Sequence, residues 1–300
     1  MIASLRARTV FLVLLVPLSI LLGSCANSRD PTMRRVDNDE ALFWRANLDF
    51  MKGRYEEARE QLRTLVTQFP ESPLIPEARL GIARTYFQEE HYEQARAEYE
   101  RFLSLYPRNE RVDEALYYVG LTYFRQIERP DRDQTASRRA VVAFRKLLSD
   151  VPDTQYREDA EAKIAVARRR LATHEIDVGL YYLKRDKFNG AVGRFQGVID
   201  RYNGTGLEPM AFFYLGETYA KMEEKEKAQD AFRQLLEKYP DSLWAVVAGD
   251  RLGVKVVLQS RPIEDQKNSD EETGGIWDLF KESWEDIKAT FKHSLKPTPE

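Results

Sequence analysis

Small, aromatic and proline residues recur along this chain at fixed intervals that a single helix period does not explain. Ala58, Leu62 and Pro70 are spaced 4 and 8 residues apart, and so are Ala95, Tyr99 and Pro107, then Ala140, Phe144 and Pro152, then Ala228, Phe232 and Pro240. A fifth copy, Ala191 and Phe195, ends at Asn203 in place of proline. Twelve residues before the alanine, four copies carry a small residue: Ala46, Ala83, Gly179 and Gly216. Tyr86, Tyr182 and Tyr219 follow three residues after it, and in the remaining copy the same pair, Gly120 and Tyr123, stands further upstream. This ruler predicts an all-α chain of helix pairs. Small residues let the two helices of a pair approach, aromatics fill the gap to the next pair, and proline stops the second helix because it lacks the N–H that would continue it. Each pair leaves an apolar face uncovered, so the pairs must stack into a superhelix.

The signature resembles the tetratricopeptide repeat, which places small residues at positions 8 and 20, aromatics at 11 and 24 and proline at 32 of each repeat. The resemblance implies five helix pairs, about ten helices. Departures from regular pitch are as informative as the pitch. Pro70 to Pro107 and Asn203 to Pro240 are both 37 residues, whereas Pro107 to Pro152 is 45 and Pro152 to Asn203 is 51. The first excess is an insert between Tyr123 and Ala140 that includes the polar run Glu128–Thr135. The second falls in Gln155–Lys184, a stretch with no proline and a single glycine. It predicts one helix of roughly 45 Å at 1.5 Å per residue, joining three pairs to two.

The two ends read differently. Arg6 and Arg8 precede an apolar run from Val10 to Leu22, and Leu22-Gly23-Ser24-Cys25 follows, with the only cysteine of the chain. This resembles the lipobox of a bacterial lipoprotein signal, which implies cleavage before Cys25 and acylation of that residue; several acyl chains anchor a protein durably. Residues 1–24 are therefore read as signal peptide and 25–38 as a polar tether. Ala26 after the cysteine resembles an outer-membrane sorting signal. The repeats divide into 39–154 and 155–252, followed by a linker over 253–275. Over 276–295, Ile276, Leu279, Phe280, Trp284, Ile287, Phe291 and Leu295 recur at helical spacing. This C-terminal amphipathic helix either caps the last repeat, enters a partner's groove or meets a membrane surface.

Composition narrows the function. The chain has 300 residues, 32% of them charged and 43% hydrophobic, with a formal charge of −3. That is a globular composition, and without a long basic run nucleic acid is not expected as a partner. One cysteine excludes an intramolecular disulfide or a zinc site built on cysteines. His91, His174 and His293 show no metal-ligand spacing, Gly204-Thr205-Gly206 lacks the residues of a phosphate loop, and no nucleophile elbow occurs. No enzyme, metal or cofactor is expected; binding is.

A stack of repeats lines its concave face with first-helix residues at positions 5, 9 and 12. These are Phe43, Asn47 and Phe50, then Leu80, Arg84 and Phe87, then Tyr117, Leu121 and Phe124. The last two pairs carry Leu183 and Ala220 at position 12. A phenylalanine row thus marks the N-terminal half only. Its rings either line an open groove suited to an extended peptide with aromatic side chains, with Arg84 free to pair with a carboxylate, or pack inside the turns.

Lipobox, tether, five repeats, insert and long helix together resemble the BamD (ComL-like) family of outer-membrane β-barrel assembly lipoproteins. The most specific stretches are LYYVGLTYFRQIERPDRDQT from Leu116 to Thr135, RLATHE from Arg170 to Glu175, and YYLKR from Tyr181 to Arg185. The resemblance covers about residues 20–250 and leaves 276–295 outside. It implies lipid anchoring at the periplasmic face of the outer membrane and no cofactor. It implies as partners a BamA-like barrel protein bound through its POTRA domain, unfolded outer-membrane proteins held by a C-terminal segment ending in an aromatic residue, and other Bam lipoproteins. Arg194 matches a basic residue tied to BamA coupling, and Arg129, Asp131, Arg132 and Asp133 of the insert either touch other subunits or form a solvated loop. Two rival readings share the lipobox and repeats: an envelope scaffold lipoprotein in peptidoglycan or Tol–Pal-type processes, and a substrate-presenting subunit of an envelope enzyme.

Overall fold

The structure, a computed structural model, describes residues 38–256. The signal segment, Cys25, nearly all of the tether, the linker beyond residue 256 and the 276–295 helix lie outside the described residues. Within them the chain forms eleven α-helices and no strands. They are α1 Asp39–Met51, α2 Tyr55–Gln68, α3 Ile75–Gln88, α4 Tyr92–Leu105, α5 Val112–Arg125, α6 Thr135–Asp150, α7 Arg157–Leu183, α8 Phe188–Arg201, α9 Glu208–Lys221, α10 Lys225–Lys238 and α11 Leu243–Leu252. Each helix packs on its chain neighbours, as a tetratricopeptide superhelix requires.

The sequence ruler has a direct atomic meaning. A Cβ added to Gly120, Gly179 or Gly216 would come within 2.6, 2.5 and 2.5 Å of the rings of Phe144, Phe195 and Phe232 respectively. The position-8 glycine is thus the seat on which the position-24 ring of the same pair rests. Tyr99, Phe144 and Phe195 are 0% exposed, and burying such a ring stabilises the fold by about 1.5–3 kcal/mol. The same rings also reach the following pair. Tyr99 stacks on Tyr118 at 5.2 Å and Phe195 on Tyr214 at 5.8 Å between centroids.

Turns obey the ruler as well. Seven residues after the small residue, four pairs place a left-handed backbone: Gly53 (φ 74°), Glu90 (60°), Asp186 (55°) and Glu223 (61°). In each, the N–H of the next residue reaches back to the position-11 carbonyl, as His91 to Tyr86 at 2.9 Å and Glu224 to Tyr219 at 3.0 Å, which closes the first helix. The third pair lacks this turn, and the insert occupies its place. At the other end of each pair, α2, α4, α6 and α10 stop two residues before Pro70, Pro107, Pro152 and Pro240, because the residue preceding a proline leaves the helical region. Before Asn203, α8 stops at the same point, followed by Gly204 and Gly206, both at positive φ.

The expected long helix is α7, 27 residues or about 40 Å. Its first half packs on α6 and its second half pairs with α8. It therefore serves as the first helix of two successive layers, and this absorbs the excess pitch. The eleventh helix was not expected from the ruler. It packs on α10 and α9 through Ala245, Val247 and Ala248 and is the last described layer of the stack.

Candidate peptide groove and partner surfaces

Four of the nine expected groove residues meet at one place. Phe43, Asn47 and Phe50 of α1 and Arg84 of α3 line a concavity of about 90 Å³, completed by Ala46, Leu62, Glu77 and Gly81. Its floor is apolar and its rim polar. Phe43 and Phe50 are half-buried against the first-repeat core, and the Asn47 side chain donates to the Phe43 carbonyl at 3.0 Å.

The other five do not extend it as an open row. Leu80 is 0% exposed, sealed among Ala83, Tyr99, Ala115 and Val119, because the following pair covers position 5 in the middle of the stack. Leu121 is buried against Phe144 and Ala160 for the same reason. The Phe87 ring packs edge-on to Tyr92 and Tyr118, and the Phe124 ring against Phe144 with the Lys163 ammonium 5.5 Å from its centre. Tyr117 stacks on Tyr156 at 4.3 Å and donates its hydroxyl to Asp159 at 2.5 Å. Burial, with Asp159 second, pushes that hydroxyl well above the usual tyrosine range. The phenylalanine row is thus half groove and half turn packing. The aromatic asymmetry between the two halves survives only at α1.

Arg84 is not free for an incoming carboxylate. Its guanidinium lies 2.6 Å from Glu114 and 2.9 Å from Glu77, and Arg111 lies 3.1 Å from the second oxygen of Glu114. Burial works to lower the Arg84 pKa, and Glu114 and Glu77 outweigh it, leaving the pKa raised. Two positive and two negative groups form a neutral clamp from α3 to α5. Glu77, Arg111 and Glu114 escaped the sequence reading because side chains thirty residues apart meet only once the pairs stack.

The insert is a built loop. Gln134, 2% exposed, donates to the carbonyls of Arg129 at 2.8 Å and Arg132 at 3.1 Å and accepts from Ser137 at 2.9 Å. Asp133 accepts from the Thr135 N–H and hydroxyl, both at 3.1 Å, which holds its carboxyl below the usual range and satisfies the first N–H of α6. Around this frame Arg129, Asp131, Arg132 and Asp133 are all exposed, with Arg129 paired to Asp131 at 3.2 Å. Arg194 of α8 sits elsewhere, 2.9 Å from Glu175, and that bond raises its pKa further. Insert and Arg194 nonetheless meet successive residues of α7: Pro130 contacts His174, and Arg194 contacts Glu175. These are the last two residues of the RLATHE stretch, so that motif joins the insert and α8 to the long helix. A larger, polar concavity of about 470 Å³ lies among α8, α9 and α10, lined in part by Asp200, Phe212, Tyr219, Lys227 and Asp230.

Among the described residues no helix is long and apolar enough to cross a membrane, and no cluster of metal-ligating side chains occurs.

Known proteins place this scaffold. An outer membrane protein assembly factor BamD from Caulobacter vibrioides is 36% identical over 41% of this chain, a match spanning 40% of that relative. The BamD of Rickettsia prowazekii is 28% identical over 79% of this chain and 94% of its own length, and that of Haemophilus influenzae 25% over 79% and 92%. A tetratricopeptide protein from Thermus thermophilus aligns over 72% of this chain and 100% of its own, at 17% identity and a TM-score of 0.32, too loose a likeness to carry an argument. The model of the YfiO family matches residues 35–231, from just before α1 into α10. The chain belongs to that family of outer membrane lipoproteins.

Proposed function

We propose that this chain is a non-catalytic assembly factor for outer-membrane β-barrels, lipid-anchored through Cys25 at the periplasmic face. In this reading the concavity between α1 and α3 receives the aromatic end of an unfolded barrel protein. The C-terminal repeats, with Arg194 at their start, dock on the POTRA domain of a BamA-like barrel protein. The exposed charges of the insert meet other lipoproteins of the assembly. The single observation that carries the reading is the α1–α3 concavity itself. Phe43 and Phe50 line the site, Gly81 lets the Leu62 side chain pack against α3 as its floor, and Asn47 and Glu77 supply polar groups at the rim. An extended chain with one aromatic side chain satisfies such a site, the ring entering the apolar floor and backbone amides meeting the rim. The neutral clamp at Arg84 leaves the ring, rather than a terminal carboxylate, as the main determinant. The relatives named as assembly factors support the same reading.

The test is a titration of the full chain with a peptide ending in phenylalanine and with its alanine-ended counterpart. The expected result is at least ten-fold tighter binding of the aromatic peptide. That difference should vanish in Phe50→Ala and in Asn47→Trp, which fills the opening, at an unchanged Tm. Equal affinity for both peptides, or an unaffected Asn47→Trp variant, refutes the groove.

A further inference from the structure

Trp44, Leu48 and Met51 stand 73%, 52% and 82% exposed on α1. Spacings of 4 and 3 place them on one line along the helix. Their repeat positions explain why that line matters. Trp44 precedes the small residue by two, as Tyr118 precedes Gly120 and Tyr214 precedes Gly216. In both later cases that ring lies flat against the position-24 ring of the preceding pair, Tyr118 on Tyr99 with 15° between planes and Tyr214 on Phe195 with 22°. Leu48 follows the small residue by two, where Thr85, Thr122 and Thr218 are 0% exposed. Met51 occupies the place of Gln88, Arg125, Lys184 and Lys221, all exposed and polar.

The face that the third and fifth pairs present to the helix before them is therefore intact on α1 at Trp44 and Leu48, whereas the second and fourth pairs carry Gly81 and Asp177 at the Trp44 place and the fourth carries Tyr181, 53% exposed, at the Leu48 place. The α1 face is also more apolar, and no described helix precedes it. The opposite end of the stack is finished differently. There α11 covers the last pair and turns Asp250 and Arg251 outward, Arg251 bonded to Glu217 at 2.7 Å. Stacked repeats need polar terminal caps; among the described residues α11 turns Asp250 and Arg251 outward beside a 42%-exposed Leu243, whereas α1 turns out Trp44, Leu48 and Met51.

We infer that the Trp44–Leu48 face, with Met51 at its edge, is a docking site for an amphipathic helix of a partner protein, which continues the stack as a sixth second-helix would. The occupant is specified by continuity with the two internal interfaces that carry a ring at the Trp44 place: an aromatic or branched residue lies over Trp44, and a small residue one turn earlier lets the backbone come close, as in Ala95–Tyr99 and Ala191–Phe195. This surface is separate from the concavity of the proposed function, and neither depends on the other.

The probe is a synthetic peptide of this chain's residues 92–105, the helix that carries Ala95 and Tyr99. It is titrated by anisotropy against the full chain in phosphatidylethanolamine–phosphatidylglycerol vesicles, with empty vesicles subtracted. Saturable binding is expected, at least ten-fold weaker for Trp44→Gln and for the Leu48→Ser, Met51→Ser double variant. It should weaken equally when the peptide carries Tyr99→Ala. All three chain positions are exposed, so an unchanged Tm confirms that the variants fold. Binding indifferent to Trp44→Gln overturns the inference. So does quenching by brominated lipid of the emission lost in Trp44→Phe, which makes the bilayer the occupant, or a cross-linked dimer that disappears with Trp44→Gln, which makes it a second copy.

Discussion

The Nδ1 atom of His174 lies 2.6 Å from the carbonyl oxygen of Pro130. One hydrogen bond thus ties the middle of the long helix to the insert that replaces a turn in the third pair. Removing it in His174→Ala costs about 1 kcal/mol. Hydrogen exchange should then quicken at residues 128–133, where the Arg132 N–H is bonded to the Arg129 carbonyl, and stay constant in α3 and α4. Unaltered protection of the insert would show that Gln134 alone holds the loop.

One turn further along α7, burial pushes the Asp177 carboxyl up to about 6; the nearby His174 pulls it down and Asp131 pushes it up. Its Oδ1 atom is buried without a hydrogen-bond partner. Between its ordinary value of 3.8 and about 6 the folded state binds more protons than the unfolded chain, so this group lowers stability as pH rises through that window. With partial solvent screening the cost at pH 7 is about 1–2 kcal/mol. Asp177→Asn is expected to raise stability at pH 7, to leave it nearly unchanged at pH 3.5, and to flatten the slope between. Urea midpoints across that range measure it; a variant less stable at pH 7 would mean that the carboxylate is paired.

Two glycines in the same helix pair predict opposite outcomes. Gly179→Ala forces a methyl group to within 2.5 Å of the Phe195 ring and costs about 1–3 kcal/mol. Gly193→Ala, in the interior of α8 with nothing within 4 Å of the new Cβ, gains up to about 1 kcal/mol of helix propensity. Thermal unfolding of the two variants separates the glycine that seats a ring from the one that only loosens a helix.

Glu114 and Arg111 share a salt bridge but not its importance. Glu114 is 5% exposed and serves two arginines. Glu114→Gln removes the main counter-charge of Arg84 and is expected to cost about 2–4 kcal/mol, because it leaves a half-buried cation with one partner. Arg111 is largely exposed, and Arg111→Ala should cost less than about 1 kcal/mol. Comparable losses in a denaturant titration would show that the clamp works through Arg111 instead.

The helix pairs, their stops and the long α7 were legible in the amino-acid order because their causes are local. A proline ends a helix wherever it stands, and an alanine or glycine spaced against a ring marks the same contact in every copy. The left-handed turn was hidden in three of four pairs, where Glu90, Asp186 and Glu223 take a conformation that glycine would have announced. The groove was legible in part. Positions 5, 9 and 12 indicate which residues face inward on an isolated pair. They do not indicate which of them the next pair covers, as it covers Leu80 and Leu121.

What the chain's residues determined on their own is thus the repeat: its period, its helix ends and the places where the period breaks. Those follow from backbone sterics and from the side-chain spacing of one helix against its neighbour, and both are properties of short segments. The tertiary structure alone decided which aromatics remain accessible, that Arg84 is already neutralised by Glu77 and Glu114, that Gln134 and His174 fasten the insert, and that no described residue covers Trp44. Each of these depends on side chains tens of residues apart and on whether another pair lies in front of them, and burial and charge pairing are set by that neighbourhood.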